Sequence, residues 1–263
     1  MNTSKVEEYI VQWLIDYKNQ NNVNGYIIGI SGGVDSAVTS TLCAKTGLRT
    51  LCLDMPIIQA LSEHSRAKNH IKWLKEKFGS WIYSDQIDLS SVLKEFEKIL
   101  PEEKIKLLKT HALANTRARL RMTALYYFAS LNNYVVVGTG NKVEDFGIGF
   151  YTKYGDGGVD ISPIADLTKS EVYKLAKHLK ILNEIIKAKP TDGLWDDNRS
   201  DEDQIGASYH EIEWAMQQKE SGKKIIDFNG REKDVFEIFE KFNSNNQHKM
   251  KSIPICKIPN KLK

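Results

Sequence analysis

Cysteine is scarce in this sequence of 263 residues. Cys43, Cys52 and Cys256 are an odd number, and none stands in Cys-x-x-Cys spacing. That argues against a disulfide framework, a zinc site or a paired-thiol sulfur carrier, and leaves buried apolar cysteine as the expectation. No run of about eighteen apolar residues occurs and no apolar leader follows Met1–Lys5, so neither a membrane span nor a signal peptide is expected. The chain is therefore expected in the cytoplasm. Charge of one sign is lacking too: 37 Lys and Arg stand against 34 Asp and Glu, a net charge of +3. That excess is too mild to imply a nucleic-acid partner, although lysines do gather in the tail. There is no internal repeat and no extended low-complexity segment. Neither the Gly-x4-Gly-Lys-Ser/Thr loop nor the spacing of the dinucleotide fingerprint is found. What is present, 41% hydrophobic and 27% charged residues, fits one α/β domain over residues 1–263, near the upper size of such a domain and carrying appended helices.

One stretch organises the rest. Tyr26-Ile27-Ile28-Gly29-Ile30 reads as a buried strand that breaks into Ser31-Gly32-Gly33-Val34-Asp35-Ser36 and then into the helix-like Ala37–Ala44. A strand ending in Ser-Gly-Gly ahead of a helix start aims free backbone N–H groups and the positive helix end at one point, where a phosphate fits. Two glycines permit positive φ and close approach of an anion, Ser31 and Ser36 add hydroxyl donors, and Asp35 places a carboxylate where a metal on a polyphosphate would sit. A plain strand-to-helix turn with a serine cap would explain a lone Gly-Gly pair, but not the full string.

Around this loop strands and helices alternate. An amphipathic helix spans Val6–Tyr17, a buried strand follows at Thr50–Met55 and a further strand at Trp81–Ile87, and a helix opening at Ser62 lies between them. No Gly or Pro interrupts Glu102–Asn132, which predicts one long helix. Tyr134–Gly138 reads as a further buried strand ending at Thr139-Gly140-Asn141-Lys142. The pattern is that of a doubly wound parallel sheet with helices on both faces, in which ligands lie beyond the carboxyl ends of the strands; Gly29–Ser36 and Gly138–Glu144 should face one crevice. Thr168 with Glu171 at the capping-box position opens a helix to about Leu179. Thr191–Asp203, carrying Asp192, Asp196, Asp197, Asp201, Glu202 and Asp203, reads as a mobile acidic loop, extending to about residue 204, that could close over substrate. Helices resume near Ser208–Gln218 and Lys233–Phe242, and the polar tail 243–263 has little periodicity.

The Ser-Gly-Gly-x-Asp-Ser string resembles the loop of the ATP pyrophosphatase family, which cleaves ATP between the α and β phosphates. Three further stretches, Asn115–Met122, Gly138–Glu144 and Thr152-Lys153-Tyr154-Gly155-Asp156-Gly157-Gly158-Val159-Asp160, together with Ser244–Lys249, are similar to ammonia-dependent NAD synthetase across nearly the whole chain. The resemblance implies an adenine nucleotide alpha hydrolase-like fold. The implied reaction is amidation of nicotinic acid adenine dinucleotide (deamido-NAD) by ammonia through an adenylated carboxylate, giving NAD, AMP and pyrophosphate. ATP would be the co-substrate and Mg2+ the cofactor. By the family pattern Gly29, Ile30, Ser31, Gly32, Gly33, Val34, Asp35 and Ser36 bind ATP together with Thr139, Lys169 and Thr191, while Asp35 and Glu144 bind magnesium. Asp35 and Lys169 are the catalytic candidates. Arg119, Lys153, Asp160, His248 and Lys249 match deamido-NAD positions. A homodimer with those sites at the subunit interface is also implied.

Bland explanations stand beside these roles. Asp35 could complement a helix N-terminus, Glu144 could be a solvated loop acid, Lys169 a solvated lysine and His248 a bystander in a polar tail. Arg117 and Arg121 are not separable from helix-face charge. Tyr9, Trp13, Tyr126 and Tyr127 suit a dimer surface, though core packing is the commoner reason for such spacing. Asn141–Gly149 looks one residue longer than in some family members. No glutaminase portion is visible, so free ammonium is the expected nitrogen source. A tRNA-modifying relative would need a basic surface and often paired cysteines, which are not evident; a regulator that has lost catalysis is disfavoured by intact Ser31, Asp35, Glu144 and Lys169.

Overall fold

The computed structural model describes residues 1–58, 61–191 and 200–263. Helix α1 (Thr3–Asn21) leads into β1 (Gly25–Gly29), α2 (Val34–Lys45), β2 (Arg49–Asp54), α3 (Leu61–Phe78) and β3 (Ile82–Gln86). Next come α4 (Ser90–Lys98), α5 (Lys106–Asn132) and β4 (Tyr134–Val136). All strand pairings are parallel, in the order β3-β2-β1-β4, and a parallel bridge from Val137 to Ile161 extends the β4 edge. Because β1 lies between β2 and β4, connections leave it in opposite directions and open a crevice above its carboxyl end. The doubly wound expectation is met.

Alternation along β1 sorts the two faces. Tyr26 and Ile28 pack with α1, α2 and the later helix α6 (Lys169–His178), whereas Ile27 joins Leu53, Val136 and the α4–α5 side. Strands buried on both faces are what a parallel sheet between helical layers requires. A third apolar cluster joins a π-helical turn, Val143–Ile148, to α9 (Tyr209–Glu220) and α10 (Gly230–Asn245). Between α6 and α9 lie the short helices α7 (Asn183–Ile186) and α8 (Asp201–Ile205). Cys43 and Cys52 are buried as expected, but Cys256 is exposed in the tail, which offers it no apolar layer.

Several boundaries differ from expectation for identifiable reasons. The long helix starts at Lys106 rather than Glu102, because the Glu103 carboxylate takes the Ile105 N–H (2.8 Å) and forms a local turn. The segment read as a mobile acidic loop is helical from Asp201, where Ser200 and Asp203 close a capping box; Asp192, Asp196 and Asp197 lie outside the described residues. The tail is ordered further than its periodicity suggests: α10 runs to Asn245 and α11 (Gln247–Met250) follows. Polar contacts hold it, with Asn243 donating to Gly147 O (2.7 Å) and Asn246 to Ile148 O (2.8 Å). Tyr9, Trp13 and Tyr127 are solvent-exposed rather than core.

Helix α2, which carries the loop, is anchored from behind by a buried imidazole. His70 of α3 is fully buried, stacks on Trp73 and meets Ser40 Oγ through Nε2 at 2.9 Å. Burial lowers its pKa to about 4, so it stays neutral in the fold, while in the unfolded chain it takes a proton near pH 6.5. A lowered folded pKa stabilises fully above the unfolded value, and this contribution is lost as pH falls from about 6.5 to about 4, on the order of 3 kcal/mol. Urea unfolding of wild type and His70→Gln at pH 7 and pH 4.5 should show that the variant lacks this component; parallel pH profiles would contradict it.

Candidate active site

The Ser31–Ser36 turn is built by its own hydroxyls. Ser36 Oγ lies 3.0 Å from Ser31 Oγ and donates to Gly33 O (3.1 Å), while Gly33 N donates to Ser31 Oγ (3.2 Å). Gly32 has φ 81°, a conformation that disfavours any side chain, and its carbonyl accepts from Arg66 Nε at 3.2 Å. Gly33 is the cap residue of α2, so the free N–H groups of the first helical turn face the crevice side of this loop.

From the neighbouring strand, β4, the chain runs through Gly138–Asn141 into the π turn. Its hydrogen bonds span one residue more than those of an α-helix. Buried Asn141 connects the two loops: its Nδ2 donates to Asp35 Oδ1 (3.0 Å), and its Oδ1 accepts from the backbone N–H groups of Val143 and Glu144 (both 3.1 Å). Gly140 leaves the space that the Asp145 carboxyl fills, since a Cβ there would lie 2.2 Å from both Asp145 oxygens. Burial, then the nearby Glu144, Asp156 and Asp35 carboxylates, pushes Asp145 up to about 8, so it is largely protonated at neutral pH.

Lys169 joins the loops into one centre. It stands in the first turn of α6, opened by the expected Thr168–Glu171 capping box, where the helix dipole disfavours a cation. Two carboxylates offset that cost. Lys169 Nζ lies 2.6 Å from Asp35 Oδ2 and 2.9 Å from Glu144 Oε1, with the lysine side chain 4% exposed and each carboxylate 17%. Burial alone would discharge Lys169, but Asp35 and Glu144 hold its pKa above the ordinary value. Burial likewise opposes ionisation of Glu144, yet the Lys169 charge and hydrogen bonds from Tyr209 and Lys169 keep it below its usual range; for Asp35 burial prevails and the pKa is raised. Tyr209 donates to Glu144 Oε1 at 2.6 Å.

This centre opens on a cleft of about 700 Å³. Of the positions read from sequence, Gly29, Ile30, Ser31, Gly33, Val34 and Asp35 line it with Thr139, Glu144, Lys169 and Thr191. Arg119, Lys153, His248 and Lys249 line its other part. These last four are drawn together by backbone carbonyls: Arg119 donates to Lys153 O (3.3 Å), Lys153 to His248 O (2.5 Å), and Lys249 to Gly149 O (2.8 Å) and Tyr151 O (2.9 Å). The docked tail thus brings cations to the cleft. Gly32 and Ser36 stand behind the lining. Asp160 is elsewhere: its carboxylate takes the Tyr126 hydroxyl (2.9 Å) and the Val136 N–H (2.8 Å) beside β4. Sequence reasoning assigned no role to Arg66, Asn141 or Tyr209. Asn141 fell inside a quoted motif, whereas Tyr209 carried no sequence signal beyond the apolar face of a helix.

Comparison with known proteins is consistent with this geometry. A family model described as NAD synthase matches residues 6–253. An NH(3)-dependent NAD(+) synthetase of Carboxydothermus hydrogenoformans is 36% identical over 229 residues, 87% of this chain and 91% of that protein. One from Methanosarcina acetivorans is 35% identical over 97% of this chain and 98% of that protein. Among solved structures, an NMN synthetase from Francisella tularensis has a TM-score of 0.82 at 30% identity, covering 99% of each chain. An NH3-dependent NAD synthetase from Campylobacter jejuni has a TM-score of 0.78 at 26% identity, over 98% of this chain and all of that one. The chain belongs to the NAD synthase family, as an ammonia-dependent amide-forming ligase of the final step of NAD biosynthesis.

Proposed function

We propose that the Gly29–Ser36 loop holds the polyphosphate of ATP and that the other part of the cleft holds deamido-NAD. The observation that carries this reading is the Lys169 ammonium set between Asp35 and Glu144 at the junction of the two loops. A carboxylate acylates poorly because oxide leaves poorly. When a nicotinate oxygen attacks the α-phosphorus of ATP, the bond to the β-phosphate oxygen breaks and pyrophosphate leaves; the mixed anhydride then accepts ammonia at its carbonyl carbon, and AMP and a proton depart. Lys169 and the α2 N-terminus would stabilise the charge that collects on the phosphates. Arg119, Lys153, His248 and Lys249 would orient the dinucleotide, converting a termolecular problem into a positioned one.

The donor set fits magnesium. Among the described residues no group of three or more metal-ligating side chains occurs, and magnesium is commonly held by one or two carboxylates plus substrate phosphates. Asp35 and Glu144 would hold it, and when bound it neutralises polyphosphate charge. Thr139 and Thr191 suit contacts to ATP. Asp160 would act from the β4 edge, through Tyr126. The homodimer reading is supported by apolar side chains exposed on and between α4 and α5, among them Phe96, Ile99, Ile105, Leu107 and Leu108. Among the described residues no helix is long and apolar enough to cross a membrane, which suits the proposed cytoplasmic location.

The Francisella tularensis neighbour favours a second reading, in which the same cleft also amidates nicotinate mononucleotide. One assay separates the cases: pyrophosphate release with ATP, magnesium and ammonium, in the presence of deamido-NAD, of nicotinate mononucleotide or of neither, with products resolved by chromatography. Equal amounts of NAD, AMP and pyrophosphate that require deamido-NAD are expected. Faster turnover of the mononucleotide would establish the second reading. ATP binding without turnover would overturn both. Sedimentation of the same preparation should give twice the 30.0 kDa of one chain.

A further inference from the structure

Tyr209 stands 65 residues after Glu144 and comes to it through the third apolar cluster. Its position is rigidly set. Ser208 and Glu211 form a capping box at the start of α9, the Tyr209 N–H donates to Glu202 Oε1 (2.9 Å), and the side chain is 5% exposed among residues such as Val143, Ile148 and Phe236. Two contacts reach the centre. The hydroxyl donates to Glu144 Oε1 at 2.6 Å, and the ring face lies 4.7 Å from Lys169 Nζ, within cation–π range. The hydroxyl also lies 3.2 Å from Asp201 Oδ2, but a phenol has one proton and Glu144 is the nearer acceptor.

Lys169 and Tyr209 converge on the same oxygen, Oε1 of Glu144. Two donors on one oxygen fix the carboxylate rotamer, with the Asn141 amide also acting on the Glu144 carboxylate, so that Oε2 is the oxygen that neither Lys169 nor Tyr209 takes. We propose that Tyr209 is the positioning residue of this centre, its hydroxyl holding Glu144 with Oε2 available to a divalent cation while its ring steadies Lys169. This role rests on the metal reading proposed above. Partners that orient a ligand typically govern metal affinity by 10- to 100-fold.

Tyr209→Phe keeps the ring and its packing and removes only the hydroxyl. The test is Mn2+ binding, followed by paramagnetic resonance, to protein carrying a non-hydrolysable ATP analogue, alongside the magnesium dependence of pyrophosphate release. The variant should bind Mn2+ about tenfold more weakly and need about tenfold more magnesium for half-maximal rate, with KM for deamido-NAD unchanged. In a Glu144→Gln background the same substitution should have no further effect on Mn2+ binding, since the two act through one contact. Wild-type protein that takes up no Mn2+ with the analogue overturns the metal reading and this role with it. Wild-type uptake with an unchanged constant in Tyr209→Phe, or additive effects in the double variant, overturns the role of Tyr209 alone. A lowered Tm with every kinetic parameter reduced alike assigns Tyr209 to packing and also overturns the role.

Discussion

Lys169→Met is expected to destabilise the protein by about 3–5 kcal/mol at pH 7, because removing one partner of a buried ion pair leaves the other charge uncompensated. Here two are left: Asp35 and Glu144, which now share Lys169 between them at 2.6 and 2.9 Å. The sign of the pH dependence follows. In the wild type Glu144 has a lowered folded pKa, so its contribution is present above the ordinary value of 4.5 and is lost as pH falls through the folded one. Without the ammonium, burial and mutual repulsion raise the folded titration of the pair, so the variant takes up protons that the wild type does not. The stability deficit should therefore narrow as pH falls from 7 to 5, in urea unfolding at both values. A deficit unchanged over that interval would show that methionine merely packs badly. ATP-dependent turnover should also fall at least about 100-fold, the scale for losing a preorganised charge at the reacting phosphates.

Asp35→Asn separates chemistry from stability. Asparagine keeps the volume but only one of the two acceptor oxygens that take Asn141 and Lys169, while Lys169 retains Glu144 as its counter-charge, so the loss of stability should be about 1–3 kcal/mol. Under the proposed role the loss in kcat should be about 10²–10³-fold, since a carboxylate facing metal and polyphosphate has been replaced by a neutral amide. Pyrophosphate release, measured with the thermal melt of the same sample, decides it: wild-type turnover in a well-folded variant would remove Asp35 from the site. Taken together the two variants distinguish a lysine needed to seat two carboxylates from a carboxylate needed for the reaction.

The legible parts of the molecule were those whose physics is local. A β-branched strand running into Ser-Gly-Gly, a helix following that turn and a capping box at Thr168 and Glu171 each involve residues a few positions apart, although the helix opens at Val34 rather than at Ala37. Convergence of the Gly29–Ser36 and Gly138–Glu144 loops was also foreseeable, because strand order in a parallel sheet dictates where the crevice opens. The tail and α8 were harder to foresee. Both are held by side chains hydrogen-bonded to backbone, as Asn243 and Asn246 are to the π turn and Ser200 is to Asp203, and such bonds leave no hydrophobic period. Cys256 was misread for the opposite reason: its apolar chemistry suggests burial, but only an enclosing layer can supply it.

Local order along the chain, by itself, determined the phosphate-type loop and the doubly wound sheet, while the resemblance to a family supplied the remaining candidate residues that line the cleft. What only the tertiary structure decided is the state of those residues. Lys169 lies 134 residues from Asp35 and 25 from Glu144, and its place between them, with Tyr209 closing the set, depends on how α6 and α9 pack over the ends of β1 and β4. Charge, rotamer and pKa in that centre arise from burial and from partners distant in sequence, and neither is encoded in the spacing of any one motif.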